Sequence, residues 1–337
     1  MSFSVLVEPR GATFEVTPGE TVLDAALRQG VALRYGCRQG SCSTCKYFLS
    51  AGDVDFGRAS TFALSRDERE EGYALLCCAT PLEDLEILES EEGTERNLPL
   101  LPPREVTARV LAVTARTKVL WSLALQLEEA FPFYPGQFVE LGVPGAADLW
   151  RAYSIANAPN SDARLEFVLK RLPGGAFSEA LEQLAPGDSL KLRGPFGGSY
   201  LRPGDAPVLL VGIGSGIAPL RSILEEAAQC DDPRSFTLFY GVRTRADHPC
   251  EEELLELEKR FPRFDYRPCL SQPTDACQWT GYSGRVTQAI QQQIADASPF
   301  DAYLCGAPAM CESVGRLLEA KGIGDGHWFS DPFFPAS

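Results

Sequence analysis

The sequence predicts a multidomain chain: a small α+β domain, then an antiparallel β-barrel, then an α/β domain on a parallel sheet. Three observations carry that prediction. Residues 1–95 mix short strands with one clear helix and hold five cysteines between positions 37 and 78. Residues 104–203 are a run of short β-prone segments parted by Gly and Pro. From Ala206 onward, apolar strands alternate with helical patterns, as in parallel α/β sheets.

In the first part, alternation marks strands at 3–7 and 13–16, and 21–28 reads as a helix ended near Gly30. Extended structure resumes at 46–49. Ser65 and Glu68 have capping-box spacing for a short helix, and a last strand at 85–88 runs into an acidic stretch, Glu89 to Glu95. Residues 97–103 (NLPLLPP) read as an extended linker, because three prolines exclude a helix. Barrel strands are expected at 106–113, 119–127, 138–141, 153–155, 165–169 and 190–192. Beyond them, strands at 208–211, 236–240 and 302–305 precede helices at 219–228, 251–260 and 309–320. The domains are therefore placed at 1–96, 104–204 and 205–337.

With 337 residues, 45% hydrophobic and 23% charged, the chain has room for two or three cores. No basic N-terminus leads into an apolar leader, and the longest near-apolar run, 207–220, is too short for a bilayer. A cytoplasmic location is expected, where eleven cysteines stay reduced. Net charge is −15, and residues 1–97 carry seventeen acidic against nine basic side chains, or −8. Nucleic acid and anionic membrane are thereby disfavoured as partners. A partner protein with a basic patch, docking at the acidic first domain, fits better.

The cysteines are the sharpest signal. Cys37, Cys42 and Cys45 stand in C-x4-C-x2-C spacing, and a fourth follows after a gap of thirty-one residues. That is the plant-type ligand spacing of a [2Fe–2S] cluster. Gly36, Gly40, Ser41 and Ser43 keep the loop small enough to wrap one, with amide N–H groups aimed at sulfur. Zinc sites usually pair their ligands in C-x2–4-C knuckles, and the two histidines, His248 and His327, lie far away. The fourth ligand has two candidates, Cys77 and Cys78. The stretch from Gly72 to Pro81 resembles the G-Y-x-L-x-C-x-x-x-P segment of plant-type ferredoxins, which implies Cys77 and a β-grasp fold. Cys78 is expected to point the opposite way if the local chain is extended.

Two further motifs follow. Pro135-Gly136-Gln137-Phe138 precedes Arg151-Ala152-Tyr153-Ser154, and Gly174-Gly175-Ala176-Phe177-Ser178 comes later. Then Gly212-Ile213-Gly214-Ser215-Gly216 links an apolar strand to a helix, as where a dinucleotide pyrophosphate lies against backbone. Tyr240-Gly241-Val242-Arg243 and Cys305-Gly306-Ala307-Pro308 close later strands. In this order the set resembles the ferredoxin–NADP reductase superfamily.

That resemblance implies FAD in the barrel and NADH in the last domain. Arg151 would hold the pyrophosphate through its planar fork, with Gly174, Gly175 and a helix starting near Phe177 and Ser178 closing on phosphate. Tyr153 would pack on the flavin, Ser154 would hydrogen-bond near N5, and backbone at Val168 and Lys170 would edge the ring. Gly212, Gly214, Ser215, Gly216 and Gly306 would shape the nucleotide turn, and Cys305 would sit beside the nicotinamide. Arg243 and Arg245 favour NADPH by charge alone, whereas the resembled reductases mostly use NADH. A terminal aromatic, Phe333 first and Phe334 second, would cover the flavin.

Over nearly its full length the chain resembles reductase components of bacterial multicomponent oxygenases. Ser60-Thr61-Phe62-Ala63-Leu64 before Glu70-Glu71-Gly72-Tyr73 is similar to the reductases of soluble di-iron monooxygenases. The resemblance implies hydride transfer from NADH to FAD and single electrons leaving through the cluster to an oxygenase. Ser154, Cys305 and Phe333 would be the residues at the reacting centre. Reductases of Rieske-type aromatic-ring dioxygenases share the domain order. A non-enzymatic electron carrier or redox sensor is the reading from a different class.

Overall fold

The structure is a computed structural model that describes residues 2–61, 63–89, 98–146, 148–274 and 279–334. Phe62, most of the acidic stretch after Glu89, and Asn97 lie outside those residues. The chain forms two compact units, Met1–Pro103 and Arg104–Ser337.

The first unit is built on a five-stranded sheet. Its strands are β1 (Phe3–Glu8), β2 (Ala12–Val16), β3 (Lys46–Ala51), β5 (Tyr73–Leu75) and β7 (Leu85–Leu88), in the order β2-β1-β7-β3-β5. β1 and β7 run parallel and the other pairs antiparallel. Strands β4 (Val54–Asp55) and β6 (Thr80–Pro81) form a separate small ladder. Helix α1 (Val22–Arg28) buries Val22, Leu23, Ala25, Ala26 and Leu27, and Thr21 caps it by accepting from the Asp24 amide at 3.2 Å. Burying each large aliphatic side chain here contributes about 1.5–3 kcal/mol. Helix α2 (Arg66–Glu70) starts with the predicted capping box between Ser65 and Glu68. Residues 98–103 form neither helix nor strand.

The second unit opens with six antiparallel strands: β8 (Arg104–Ala115), β9 (Leu120–Gln126), β10 (Phe138–Gly142), β11 (Trp150–Ser154), β12 (Arg164–Lys170) and β13 (Ser189–Phe196). Their order is β11-β10-β13-β8-β9-β12, and a bridge between Ile155 and Phe167 joins the two ends into a barrel. Inward side chains such as Leu123, Leu125, Val139, Leu141, Phe167 and Leu192 fill it. A short helix α3 (Ala176–Leu181) plugs one end with Phe177 and Leu181.

The remaining strands form one parallel sheet in the order β17-β16-β15-β14-β18-β19. They are β14 (Val208–Ile213), β15 (Phe236–Val242), β16 (Phe264–Leu270), β17 (Tyr282–Ser283), β18 (Asp301–Gly306) and β19 (Trp328–Pro332). Helices α4 (Ile217–Gln229), α5 (Glu251–Arg260), α6 (Val286–Gln293) and α7 (Pro308–Ala320) cover both faces over separate apolar clusters. Besides the two-residue β17, three longer elements here escape the sequence reading. β16 is broken in pattern by Arg267 and Pro268, α6 is rich in Gln, and β19 follows a turn inside what reads as a tail. That tail is instead the outer strand of the sheet, paired with β18.

Barrel and parallel sheet are tied together by charge. Arg221 on α4 donates to Glu166 on β12 and to Glu225, both at 2.7 Å. Burial disfavours the charged guanidinium, yet the two carboxylates outweigh it and hold its pKa above the ordinary value. Arg202 stacks on Tyr200 at 3.6 Å and on Phe329 of β19 at 4.5 Å. The seam is thus held by paired, partly buried groups, and at its rim Arg116 reaches Glu253 and the Pro249 carbonyl.

Candidate functional site

In the first unit the cysteines sit on a loop and a turn that the fold holds in place. Arg38, Gly40 and Ser43 take positive φ, which coils the loop tightly. A side chain at Gly36 would meet the Cys42 sulfur at 3.0 Å. Amides already point at sulfur: Cys37 N–H donates to Cys42 Sγ at 3.2 Å and Gln39 N–H to Cys37 Sγ at 3.3 Å. Across from the loop, the first two amides of α1 donate to Ala79 and Leu76 carbonyls, both at 3.0 Å. Those acceptors bracket Cys77 and Cys78, so the helix N-terminus pins the turn that carries them.

The thiols fall into pairs. Cys42 is held down to about 5, chiefly by the hydrogen bond shared with Cys37, and that same bond, with burial, pushes Cys37 up. Cys77 is pushed up to about 12, first by the neighbouring Cys45. Among the described residues no three His, Cys, Asp or Glu converge on one mononuclear ion. Paired thiols suit a cluster whose two irons share four thiolates, and not a zinc ion needing three or four ligands at one point. The donor set, the buried sulfurs and the inward amides therefore fit a [2Fe–2S] cluster.

Cys78 departs from expectation. Residues 76–78 form a turn and not an extended strand, so the two side chains do not alternate. Cys78 Sγ lies 3.6 Å from Cys77 Sγ.

The second unit holds a cleft of about 1580 Å³ between barrel and parallel sheet. Lys118, Lys170, Arg243 and Arg285 line it with one carboxylate, Asp247. On a chain of net charge −15, that local excess of cations suits an anionic ligand such as a dinucleotide pyrophosphate. Arg243 has no ion pair among the described residues, whereas Arg245 is paired with Glu251 at 2.7 Å. Asp247 is turned onto the Thr244 amide and hydroxyl.

The glycine-rich turn divides in role. Gly214 and Ser215 line the cleft, and Gly214 has φ +56 with open space where a side chain would project. Gly212 and Gly216 serve packing: added Cβ atoms would meet Leu220 at 2.7 Å and the Cys305 carbonyl at 2.1 Å. Behind the turn, the buried Tyr240 hydroxyl donates to the Gly214 carbonyl at 2.7 Å. His248 backs it edge-on at 5.0 Å and hydrogen-bonds Tyr266.

On the barrel side, Tyr153 packs on Phe177 with ring centres 4.9 Å apart. Arg151 bonds only the Trp150 carbonyl among the described residues, which leaves its fork available. Beyond Phe167 no strand pairs with the outer edge of β12 among the described residues. Lys170 lines the cleft at this edge, whereas Val168 is buried against Leu120, Ile217 and Ala218. Gly174 has φ +73 and open space beside it, while Gly175 packs against Leu172 and Ser178. Ser178 is buried and its hydroxyl accepts from the Leu172 amide at 2.9 Å, shaping that loop from within. These features fit an isoalloxazine with its phosphate tail.

Ser154 ends β11 at the seam. Its hydroxyl donates to Asp331 Oδ2 at 3.0 Å. Asp331 stands opposite Cys305 in the β18–β19 register. Cys305 is 1% exposed and does not line the cleft itself. Burial, then the Asp331 charge, push its thiol well above the ordinary range. Phe333 lines the cleft, with its amide donating to the Gly306 carbonyl at 2.7 Å. Sequence reasoning misses Asp331. Its signal is a single acidic residue in an aromatic tail, Phe329-Ser330-Asp331-Pro332-Phe333.

Comparison with known proteins follows the same division. Residues 5–83 match the family model of the 2Fe-2S iron-sulfur cluster binding domain. Residues 110–200 match the oxidoreductase FAD-binding domain and 210–316 the oxidoreductase NAD-binding domain. The chain is 37% identical over 328 residues to the reductase component of phenol 2-monooxygenase from Pseudomonas sp. strain CF600, covering 95% of this chain and 92% of that one. It is 36% identical over 332 residues to the reductase component of propane 2-monooxygenase from Gordonia sp. strain TY-5, covering 97% and 95%. Among solved structures, the Amycolatopsis cytochrome P450 reductase GcoB superposes with a TM-score of 0.88 at 34% identity, covering 99% and 100%.

Proposed function

Because this chain belongs to the iron–sulfur flavoprotein reductase components of multicomponent oxygenases, we propose that it feeds the hydroxylase of a di-iron monooxygenase. It is an NADH-dependent oxidoreductase with FAD and a [2Fe–2S] cluster, and its electrons go to an oxygenase. The flavin, when bound, supplies the step from two-electron to one-electron chemistry.

The chain's own residues do the rest in this reading. Gly214, Ser215 and Arg243 seat the nucleotide in the cationic cleft. Arg151, Tyr153, Gly174 and the unpaired backbone edge at Val168 and Lys170 seat the flavin. Ser154, oriented by Asp331, presents its hydroxyl at the seam, with Cys305 and Gly306 shaping the floor. Phe333 covers the cleft until nicotinamide takes its place. Cys37, Cys42, Cys45 and Cys77 hold the cluster. The single observation that carries this reading is the Ser154–Asp331–Cys305 constellation, which ties the end of a barrel strand to two sheet strands next to Gly306 and Phe333 of the cleft lining.

In this reading the domains run 1–96, 104–204 and 205–337, with 97–103 linking the first to the second. The acceptor is proposed to dock at the first domain. Its acidic surplus steers a basic partner, although residues 34–52 of the cysteine loop carry only Arg34, Arg38 and Lys46 as charges. Two of these are paired, Arg38 with Asp24 and Lys46 with Glu68. No helix among the described residues is long and apolar enough to cross a membrane. The likeness to a cytochrome P450 reductase over the full chain supports a second reading, a haem oxygenase as acceptor.

Steady-state reduction of cytochrome c by the purified protein tests the core of this. NADH is expected to support it well above NADPH, and Cys42→Ala to abolish it while NADH still bleaches the flavin. Reduction that ignores NADH, or that survives loss of the cluster, would count against the reading.

A further inference from the structure

We propose that Cys78 is a second, interchangeable ligand position of the iron–sulfur site, able to replace Cys77. This rests on the reading of the cysteine loop as a [2Fe–2S] site. Three observations carry it. First, the turn at 76–78 puts both sulfurs on one side, 3.6 Å apart. At that distance, rotation of the two side chains would carry Cys78 Sγ into the space where Cys77 Sγ stands. Second, both face the same residue of the ligand loop. The Gly40 amide points at Cys77, and a Cβ on Gly40 would meet Cys78 Sγ at 2.6 Å. Third, Cys78 is 5% exposed and Cys77 4% exposed, so neither must be pulled out of water to bind.

Thiol exchange at this position is balanced. The entering Cys78 thiol loses the proton that the leaving Cys77 thiolate gains, one iron–sulfur bond forms as one breaks, and neither iron changes oxidation state. The α1 amides that hold the Leu76 and Ala79 carbonyls fix the turn from both ends. The usefulness is plain for a one-electron carrier serving an oxygenase: loss of one thiolate does not cost the cluster.

The test compares full-length Cys77→Ala, Cys78→Ala and the double variant, by iron and sulfide content, visible absorbance and EPR. Cys77→Ala is expected to keep cluster within about twofold of the unaltered protein with shifted EPR g-values, Cys78→Ala to keep the parent spectrum, and the double variant to have none. Flavin absorbance reports that the second unit is folded in each. If Cys77→Ala leaves the first unit unfolded by circular dichroism, Cys77→Ser with and without Cys78→Ala makes the same comparison. A Cys77 variant that folds but holds no cluster overturns the proposal. So does a Cys77→Ala protein with the parent spectrum beside a cluster-free Cys78→Ala, since Cys78 would then be the sole ligand. Absence of cluster from the unaltered protein would instead sink the underlying reading.

Discussion

Ser154 and Asp331 lie 177 positions apart, yet the serine hydroxyl donates to the aspartate carboxylate at 3.0 Å. One ends a barrel strand and the other stands on the outermost strand of the parallel sheet, opposite Cys305. The bond fixes the direction of the Ser154 hydroxyl at the seam, which in the proposed site is where flavin and nicotinamide would meet. Asp331→Asn keeps the size of the side chain but removes its charge. It is expected to slow flavin reduction by NADH about 10–100-fold in stopped-flow, with FAD content unchanged. Ser154→Ala should lose a similar amount, and the double variant little more than either, since the two act as one unit. Additive losses would show that they act separately.

Arg151 has a planar fork with one backbone partner. Replacing it by Ala removes charge-assisted bonds to a phosphate, each contributing about 1.5–3 kcal/mol. FAD affinity is expected to fall about 10–100-fold, read by equilibrium dialysis of flavin. Unchanged retention would remove Arg151 from the pyrophosphate site.

Tyr240 is fully buried and its hydroxyl donates to the carbonyl of Gly214, which lines the cleft. Tyr240→Phe deletes one neutral hydrogen bond, about 0.5–1.5 kcal/mol. KM for NADH should rise about 2–10-fold while kcat stays level. A drop in kcat with KM unchanged would contradict a role in shaping the nucleotide turn.

His248 is kept neutral by burial, with its pKa lowered from 6.5 to about 3. Between those values the unfolded chain takes up a proton that the folded chain refuses. Stability is therefore complete above about pH 6.5 and falls as pH drops toward 3. From pH 7 to about 5.5 the loss attributable to His248 is about 1 kcal/mol. Urea unfolding at both pH values should show this loss, and His248→Gln should flatten it. Equal pH slopes in both proteins would refute the assignment.

Much of the fold and of the site is legible in the amino-acid sequence alone. The cysteine spacing points to the cluster, and all six barrel strands are marked by β-prone runs, most of them parted by Gly and Pro. Helix α5 has its expected bounds, 251–260, because three Glu open it and Lys-Arg close it. What escapes is set by tertiary contact. Trp328–Pro332 reads as an aromatic tail, and only pairing with β18 makes it a strand. Asp331 has no motif around it, since its partners are a barrel serine and a neighbouring-strand cysteine. Gly212 and Gly216 read as phosphate glycines, yet they are required by Leu220 and by the Cys305 carbonyl. Alternation turns Cys78 away from Cys77, and alternation fails in a turn.

The central claim is a single electron path from NADH through flavin to the four-cysteine cluster. Anaerobic titration with NADH, followed together by visible absorbance and low-temperature EPR, tests it most directly. The account predicts that flavin bleaching is accompanied by the EPR signal of a reduced [2Fe–2S] cluster, and that Cys42→Ala keeps the bleaching and loses the signal. Flavin bleaching with a cluster that stays oxidised would contradict it.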